Sequence, residues 1–436
     1  MMNITIIGLG YVGLVNTLFL ASKGHNIFAL DINKNKVATL KAGKTTINEP
    51  HFQELLTEYS SNIRFTTNHK DALRNANMIF ICVDTPQGSD GSVNTTNFYN
   101  CLATIKESIT NDVSIIIRST VPVGTNKLTC DYFLDSPYKV DVISFPEFLS
   151  QGKAFEDLTN PMRLVFGVND QKGVQIAKSL TTLFDIKKIP VMITTPINAE
   201  LIKYASNSFL AMKISYINNL AQLCDAVGGD IDKVSTGMGL DPRIGSSFLN
   251  AGIGYGGSCF PKDTNGLYWI ANNNSIKMDL MLSTIEVNNS QIQYFLNKIY
   301  RRFRSLNNLN IAILGVSFKG GTEDVRNSQA IPIVKALLEK NANLFIYDPL
   351  AVDNFIPLFS RHIHIDYPAS IEDTLKNADF VVILNDSNEF KQLTAQFYID
   401  HMKNPIIFDG RNLYRLEDMK NVEYHSIGRP SISKRK

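Results

Sequence analysis

A single cysteine, Cys259, lies in the run Gly254-Tyr255-Gly256-Gly257-Ser258-Cys259-Phe260-Pro261-Lys262-Asp263, followed closely by a cation and a carboxylate. Glycines let the backbone take positive φ and leave no Cβ in the way of an approaching ligand. A thiol there is a nucleophile once its thiolate is stabilised, and Lys262 is a local source of positive charge. The same residues also describe a tight structural turn around a buried thiol. The segment alone does not choose between the two.

The start of the chain adds a second chemistry. Asn3-Ile4-Thr5-Ile6-Ile7 reads as a strand running into Gly8-Leu9-Gly10-Tyr11-Val12-Gly13. A helical pattern through Leu14, Leu18 and Phe19 follows, then a strand from Asn26 to Leu30 that ends at Asp31. Strand, GxGxxG, helix, strand and acid in this order form the dinucleotide-binding fingerprint. The glycines let a pyrophosphate approach the helix N-terminus, whose free N–H groups and dipole bind anions. Asp31 would accept ribose hydroxyls and repel a 2′-phosphate, so the pattern predicts NAD rather than NADP. A thiol paired with a nicotinamide suggests oxidation through a covalent sulfur adduct.

Several elements must hold these groups. Further strands read at 78–83, 114–118 and 140–144, ending in Asp84-Thr85-Pro86, Ser119-Thr120-Val121-Pro122 and Pro146-Glu147-Phe148. Their polar residues gather past the strands' C-terminal ends, the ligand edge of an open parallel sheet. Residues 198–227 contain neither Gly nor Pro and carry apolar residues at helical spacing, a helix of roughly 45 Å. A second such stretch covers 275–305. The opening then partly repeats: 310–315 matches the first strand, 343–348 the second, and 377–384 matches 75–82. Ser317 stands where the middle glycine would be, so this copy lacks the fingerprint and is expected to bind a different, phosphorylated ligand, or to be a structural duplicate. The predicted fold class is α/β, with two Rossmann-like doubly wound domains joined by a long-helix central region. The expected division is 1–197, 198–305 and 306–436.

Composition narrows the partners. Forty-three basic against 41 acidic residues leave a formal charge of +2, which gives no electrostatic footprint for nucleic acid. The basic tail at 433–436 is short and reads as solvated. Cys82, Cys101, Cys130, Cys224 and Cys259 are scattered, with no CxxC pair and no zinc spacing. No metal is expected, and an odd, sparse set of thiols fits a reducing cytoplasm. The N-terminus reads as a strand rather than a signal peptide, and no apolar run reaches the roughly 20 residues of a membrane span.

Taken together, these motifs resemble the UDP-glucose/GDP-mannose dehydrogenase family over nearly the whole chain. The matching stretches are GLGYVG, Val83 to Pro86, Ser119-Thr120-Val121, Pro146-Glu147-Phe148-Leu149, Lys203 with Asn207, the cysteine run, Phe318-Lys319 and Asp409-Gly410-Arg411. Asp241-Pro242-Arg243-Ile244-Gly245 looks most like the branch that oxidises UDP-glucose. The resemblance implies four-electron oxidation of C6 to a carboxylate with two NAD, through a thiohemiacetal and a thioester on Cys259, supplying UDP-glucuronate for polysaccharide. It implies that Lys203 and Asn207 stabilise the oxyanion, that Asp263 is the general base, and that Glu147 and Thr120 position or activate water. For the cofactor it implies Gly8, Gly10, Tyr11, Val12, Gly13, Asp31, Lys36, Thr85, Thr120, Gln151, Lys262 and Arg326. For the sugar nucleotide it implies Glu147, Phe148, Leu149, Lys203, Asn207, Asn250, Tyr255, Gly256, Phe318, Lys319 and Arg411. Arg243 would reach the substrate of the neighbouring subunit of a homodimer. One residue departs from the pattern: Gln151 stands where the family has a glutamate, and an amide cannot act as a base. The alternatives are the same chemistry on a UDP-N-acetylhexosamine or GDP-mannose, or a weakened paralogue that senses nucleotide sugars.

Overall fold

A strand covered by helices on both faces has to be apolar along its whole length. The runs read above are mostly of this kind, interrupted by polar residues such as Thr5, Ser114 and Asp141, and they form β1 (Asn3–Ile7), β2 (Asn26–Leu30), β4 (Met78–Ile81), β5 (Val113–Ile117) and β6 (Val140–Ser144). The computed structural model describes residues 2–184, 189–359 and 362–433, so the basic tail from residue 434 onward lies outside the described residues. Shorter strands β3 (Ile63–Thr66), β7 (Leu164–Gly167) and β8 (Val191–Thr194) complete one sheet of order β3-β2-β1-β4-β5-β6-β7-β8. The first six follow the doubly wound order, all parallel, with β1 paired to both β2 and β4. The pairing of β6 with β7 is antiparallel, and β8 returns parallel to β7. This extension was not legible in the strand pattern.

Side chains alternate across the sheet and feed two cores. Ile4 and Ile6 face one way and pack with Leu14 and Leu18 of α1 (Tyr11–Ser22). Ile7, Ile79, Ile81, Ile115 and Ile117 face the other, against Phe98 and Leu102. Contacts divide the chain into two compact units: Met1–Ser206 with Trp269–Asn274, and Asn207–Tyr268 with Ser275–Lys436. The long helix α2 (Pro196–Val227) has 32 residues. Proline suits its first position because no intrahelical N–H is needed there, and Gly228, at φ 78°, follows its end. Helices α3 (Phe260–Asn273) and α4 (Asp279–Arg302) follow the cysteine run.

The second unit carries its own parallel sheet. It comprises β9 (Asn310–Leu314), β10 (Asn343–Tyr347), β11 (Ile365–Asp366), β12 (Phe380–Ile383), β13 (Ile406–Asp409) and β14 (Glu423–His425). Their order is β11-β10-β9-β12-β13-β14, the same winding as the first six strands of the other sheet. One difference bears on chemistry. In the first sheet α1 starts four residues after β1, whereas after β9 the next helix, α5 (Ala330–Leu338), begins only at residue 330. The repeated strand therefore no longer delivers a helix N-terminus to the sheet edge.

The β1–α1 turn separates the jobs of its glycines. A Cβ on Gly13 would lie 1.7 Å from the Gly8 carbonyl oxygen, inside any possible contact, whereas one on Gly10 would meet nothing within 4 Å. Gly13→Ala should therefore cost about 3 kcal/mol of stability or more, because strand and helix must be pushed apart. Gly10→Ala should leave the urea midpoint close to the parent's. Equal midpoints for the two variants would contradict this geometry.

Candidate active site

The first unit holds a cradle that fits a dinucleotide. Gly8 sits at φ 90° with its missing Cβ against the Cys82 carbonyl, and the space over Gly10 is open. The N-cap Gly10 offers α1 no side-chain bond, which leaves its first N–H groups for an anion. Asp31 ends β2 with its carboxylate buried; it accepts the Leu9 N–H at 2.8 Å and the Asn33 N–H at 2.8 Å. Lys36 lies 3.4 Å from the same carboxylate. These bonds close the turn and fix the acid at the strand end. Thr85 donates to the Thr120 carbonyl at 2.7 Å, tying the loops after β4 and β5 together. Tyr11 of the glycine loop reaches Glu49, whose carboxylate also accepts the Gly152 N–H. Burial, with the Glu49 bond next, raises the Tyr11 pKa far above the ordinary phenol value.

Farther along the same edge, the loop after β6 presents Glu147, Phe148, Leu149 and Gln151. Lys203 of α2 donates to the Glu147 carboxylate and to its backbone carbonyl, both at 2.7 Å. Glu147 also accepts the Leu149 N–H at 2.6 Å. Both residues are buried. Burial works against the Glu147 anion, but the charge and hydrogen bond of Lys203 outweigh it and hold the carboxyl below its usual range. Such a carboxylate is a weak base and a good anchor for a cation. On the neighbouring turns of α2, Glu200 accepts the N–H groups of Gly124 (2.6 Å) and Asn126 (2.9 Å), and Ser206 accepts from Arg163 at 3.0 Å. Arg163 stacks on the Phe148 ring at 4.0 Å. Arg118, buried, donates to the carbonyls of Phe145 (2.9 Å) and Pro146 (3.2 Å). Lys203, Ser206 acting through Arg163, and Arg118 thus fix a loop that has little structure of its own, while Glu200 holds the segment after β5.

The second unit places Cys259 immediately before α3, exposed. The other thiols are raised by burial, Cys82 to about 12, with Cys101, Cys130 and Cys224 raised as well. The glycine run ahead of Cys259 is buried, and its backbone is satisfied by side chains from other elements. Asn218 accepts the Gly252 N–H and Gln291 donates to its carbonyl, each at 2.8 Å. Asn288 pairs with both backbone groups of Tyr255, at 2.8 and 3.1 Å, and Gln329 donates to the Tyr255 carbonyl at 2.6 Å. The Gly257 N–H reaches the Arg326 carbonyl at 3.0 Å, while the Arg326 guanidinium pairs with Asp324. A Cβ on Gly256 would lie 2.2 Å from the Asn327 carbonyl oxygen, so this glycine is required by close approach. Asp263, fully buried, accepts from Lys262 at 2.7 Å and from Asn207 at 2.5 Å. Lys262 is thus engaged by the carboxylate next to it.

The sheet edge of this unit also converges on the loop. Gly410 accepts the Ile253 N–H at 2.9 Å. Arg411 donates to the carbonyls of Leu384 (2.8 Å), Gly254 (3.1 Å) and Phe318 (3.0 Å). Phe318 lies against Gly257, and Lys319 sits 5.7 Å above the Phe318 ring. Asn250 and Arg243 are exposed, the latter paired with Asp241 at 2.6 Å. Asp348, the counterpart of Asp31, is saturated: it accepts the Val316 and Ser317 N–H groups, the Ser317 hydroxyl, Asn385 and the Leu350 and Ala351 N–H groups. Asn385 also fills the space over Gly315, where a Cβ would meet it at 2.4 Å. This edge is closed to a dinucleotide bound in the first unit's manner.

Reading the sequence missed the residues that hold the site: Glu49, Arg118, Arg163, Glu200, Asn218, Asn288, Gln291 and Gln329. A signal existed for some of them. Asn288 and Gln291 are polar residues three apart on the buried face of α4, and Arg118 ends an apolar strand. Glu49 stands in a connection with no local pattern.

Among the described residues no helix is long and apolar enough to cross a membrane. Three models of the UDP-glucose/GDP-mannose dehydrogenase family match in order: the NAD binding domain at residues 2–185, the central domain at 197–290 and the UDP binding domain at 312–416. The chain is 41% identical to UDP-glucose 6-dehydrogenase YwqF of Bacillus subtilis (strain 168), over 99% of this chain and 98% of that protein. It is 39% identical to a UDP-glucose 6-dehydrogenase of Rickettsia conorii (strain ATCC VR-613 / Malish 7), over 98% and 99%. Its fold matches a UDP-glucose dehydrogenase from the hyperthermophilic archaeon Pyrobaculum islandicum with a TM-score of 0.90 at 29% identity, covering 99% of this chain and 98% of that one. The glycine cradle that fits a dinucleotide thus lies within a matched NAD binding domain, and the chain belongs to the UDP-glucose/GDP-mannose dehydrogenase family.

Proposed function

We propose that the protein oxidises C6 of UDP-glucose to the carboxylate of UDP-glucuronate, a building block for polysaccharide. The observation that carries this reading is the exposed Cys259, standing at the start of α3 on a loop whose backbone is fixed from outside, while burial raises the other four thiols. An exposed thiol held in one position is what aldehyde capture needs, and a purely structural cysteine would be buried. NAD supplies the hydride acceptor for each of the two oxidations. The Cys259 thiolate adds to the aldehyde carbon to give a thiohemiacetal. Loss of a second hydride gives a thioester, and water cleaves the C–S bond to release carboxylate and thiol.

The bonds each group makes support the remaining roles. Lys203, paired with Glu147, and Asn207, bonded to Asp263, suit stabilisation of the developing oxyanion. Asp263 is our general base, and Thr120 with Glu147 places the hydrolytic water. The low-lying Glu147 carboxyl favours anchoring Lys203 over taking a proton. We assign the cofactor to Gly8, Gly10, Tyr11, Val12, Gly13, Asp31, Lys36, Thr85, Thr120, Gln151, Lys262 and Arg326. The sugar nucleotide is assigned to Phe148, Leu149, Asn250, Tyr255, Gly256, Phe318, Lys319 and Arg411, the last with part of its donor fork left over from three carbonyls. We divide the chain into cofactor (1–197), central (198–305) and sugar-nucleotide (306–436) parts, a reading the three family matches support. A sparse, scattered set of five cysteines agrees with a cytoplasmic setting.

A homodimer is part of the proposal. On α2, Phe209, Tyr216, Leu223 and Val227 are 53–71% exposed and repeat at spacings of seven, seven and four. Such a stripe suits a second copy of the same helix, and exposed Arg243 suits a reach into its site.

Three results would check these assignments. The parent enzyme should form two NADH for each UDP-glucose consumed, and Cys259→Ser should lose steady-state turnover while binding NAD as the parent does. One NADH per sugar, or a serine variant that turns over normally, would overturn the covalent route. Lys203→Met should cost about 3–5 kcal/mol at neutral pH, because it strands a buried carboxylate. In the parent the depressed Glu147 pKa contributes stability that is present above about pH 4.3 and lost as pH falls through the folded value. In the variant burial is opposed only by the Leu149 N–H bond and the Arg118 charge, so that pKa lies higher than in the parent and the stability gap from the parent should widen as pH rises. A gap independent of pH would count against the pair. Tyr216→Lys should shift sedimentation from dimer to monomer, and a monomeric parent at micromolar concentration would refute the interface.

A further inference from the structure

Glu49 has no place in the chemistry above, yet it joins two segments that do. It is 7% exposed and lies in the connection between β2 and β3. One carboxylate oxygen takes the Tyr11 hydroxyl and the Gly152 N–H, and the other takes the Ala154 N–H at 3.3 Å. Tyr11 also accepts the Gly152 N–H at 3.1 Å, and its hydroxyl lies 3.2 Å from the Ser150 carbonyl. Tyr11 is the first residue of α1, immediately after Gly10 at the open part of the cradle. Residues 150–154 continue the loop that carries Glu147 and Gln151. Without Glu49, two backbone N–H groups and a phenol would lose their shared acceptor.

We propose that Glu49 is a positioning residue for the cofactor: it locks the phosphate end of the glycine loop to the loop carrying Gln151, so that the two move as one wall of the NAD site. The inference deepens the proposed function, because it assigns the support of that site. Two features make the carboxylate suited to the task. It is an acceptor only, so it takes three donors at once without having to supply a proton. Its partners come from segments 38, 103 and 105 residues away, so no local turn could replace it. A glutamine keeps one acceptor oxygen and therefore retains part of the link.

The test is NAD binding by titration calorimetry without sugar, which makes its outcome independent of the substrate assignment. Tyr11→Phe and Glu49→Gln should each weaken NAD by about five- to twentyfold, a loss typical of one or two hydrogen bonds. The double variant should be no weaker than the worse single one, since the two groups act as a unit. Glu49→Ala should weaken NAD further, and Glu49→Gln should recover part of that affinity. In turnover, the KM for NAD should rise while the KM for UDP-glucose stays within twofold or so. Folded single variants, judged by circular dichroism, that bind NAD like the parent would overturn the proposal, and so would strictly additive losses. A parent that binds no NAD at all would instead sink the dinucleotide reading.

Discussion

A glycine-rich loop can approach a ligand closely because it has few side chains, and for the same reason it cannot hold its own shape. Each backbone N–H and C=O that it buries must be paired from outside or left unpaired at about 1–3 kcal/mol. The run ahead of Cys259 meets this constraint with carboxamides: Asn218 on α2, Asn288 and Gln291 on α4, and Gln329 beside α5. Carboxamides suit the role because each offers a donor and an acceptor without a charge to desolvate. Arg411 adds a charged clamp on the Gly254 and Phe318 carbonyls. The exposure of Cys259 therefore comes with a loop whose position is fixed by other elements.

The loop after β6 in the first unit solves the same problem with ions. Lys203 holds Glu147 twice, Arg118 holds the two carbonyls before it, and Glu49 holds Gly152 and Ala154. Burying these charges is costly unless each is paired and fully hydrogen-bonded, so their neutral replacements would pack more easily. Retaining them makes sense where a permanent charge is wanted at a dry site. In the Lys203–Glu147 pair the two groups lie 2.7 Å apart, and the pairing lowers the pKa of the buried Glu147 carboxyl.

The two sheets show how one winding is turned to different ends. Both place an acid after the second strand and bond it to the first loop: Asp31 to Leu9 and Asp348 to Val316. Around Asp31 the helix starts at once and the space over Gly10 stays open. Around Asp348, Asn385 and Ser317 fill the carboxylate's remaining positions, and the helix starts at residue 330. A few side chains at the switch point, with no change in strand order, decide whether the edge admits a dinucleotide.

Much of this was legible in the residues themselves. Strands buried on both faces are continuous apolar runs, long helices are stretches free of Gly and Pro, and GxGxxG between a strand and a helix states its own backbone requirement. These are local properties, so the doubly wound class, the cradle from Gly8 to Gly13 and the central helices could all be read in advance. The strands β7 and β8 escaped because their short runs are set off by no fingerprint or internal repeat, whereas β4 and β12, equally short, were marked by matching each other. The supports of the site escaped for a different reason. Glu49 meets Gly152 from 103 residues away and Arg411 meets Gly254 from 157, and neither pairing leaves a trace in local spacing. Only the tertiary structure decided which side chains would satisfy each loop, because a buried hydrogen bond is chosen by proximity in space, and proximity exists only once the sheets and helices have packed.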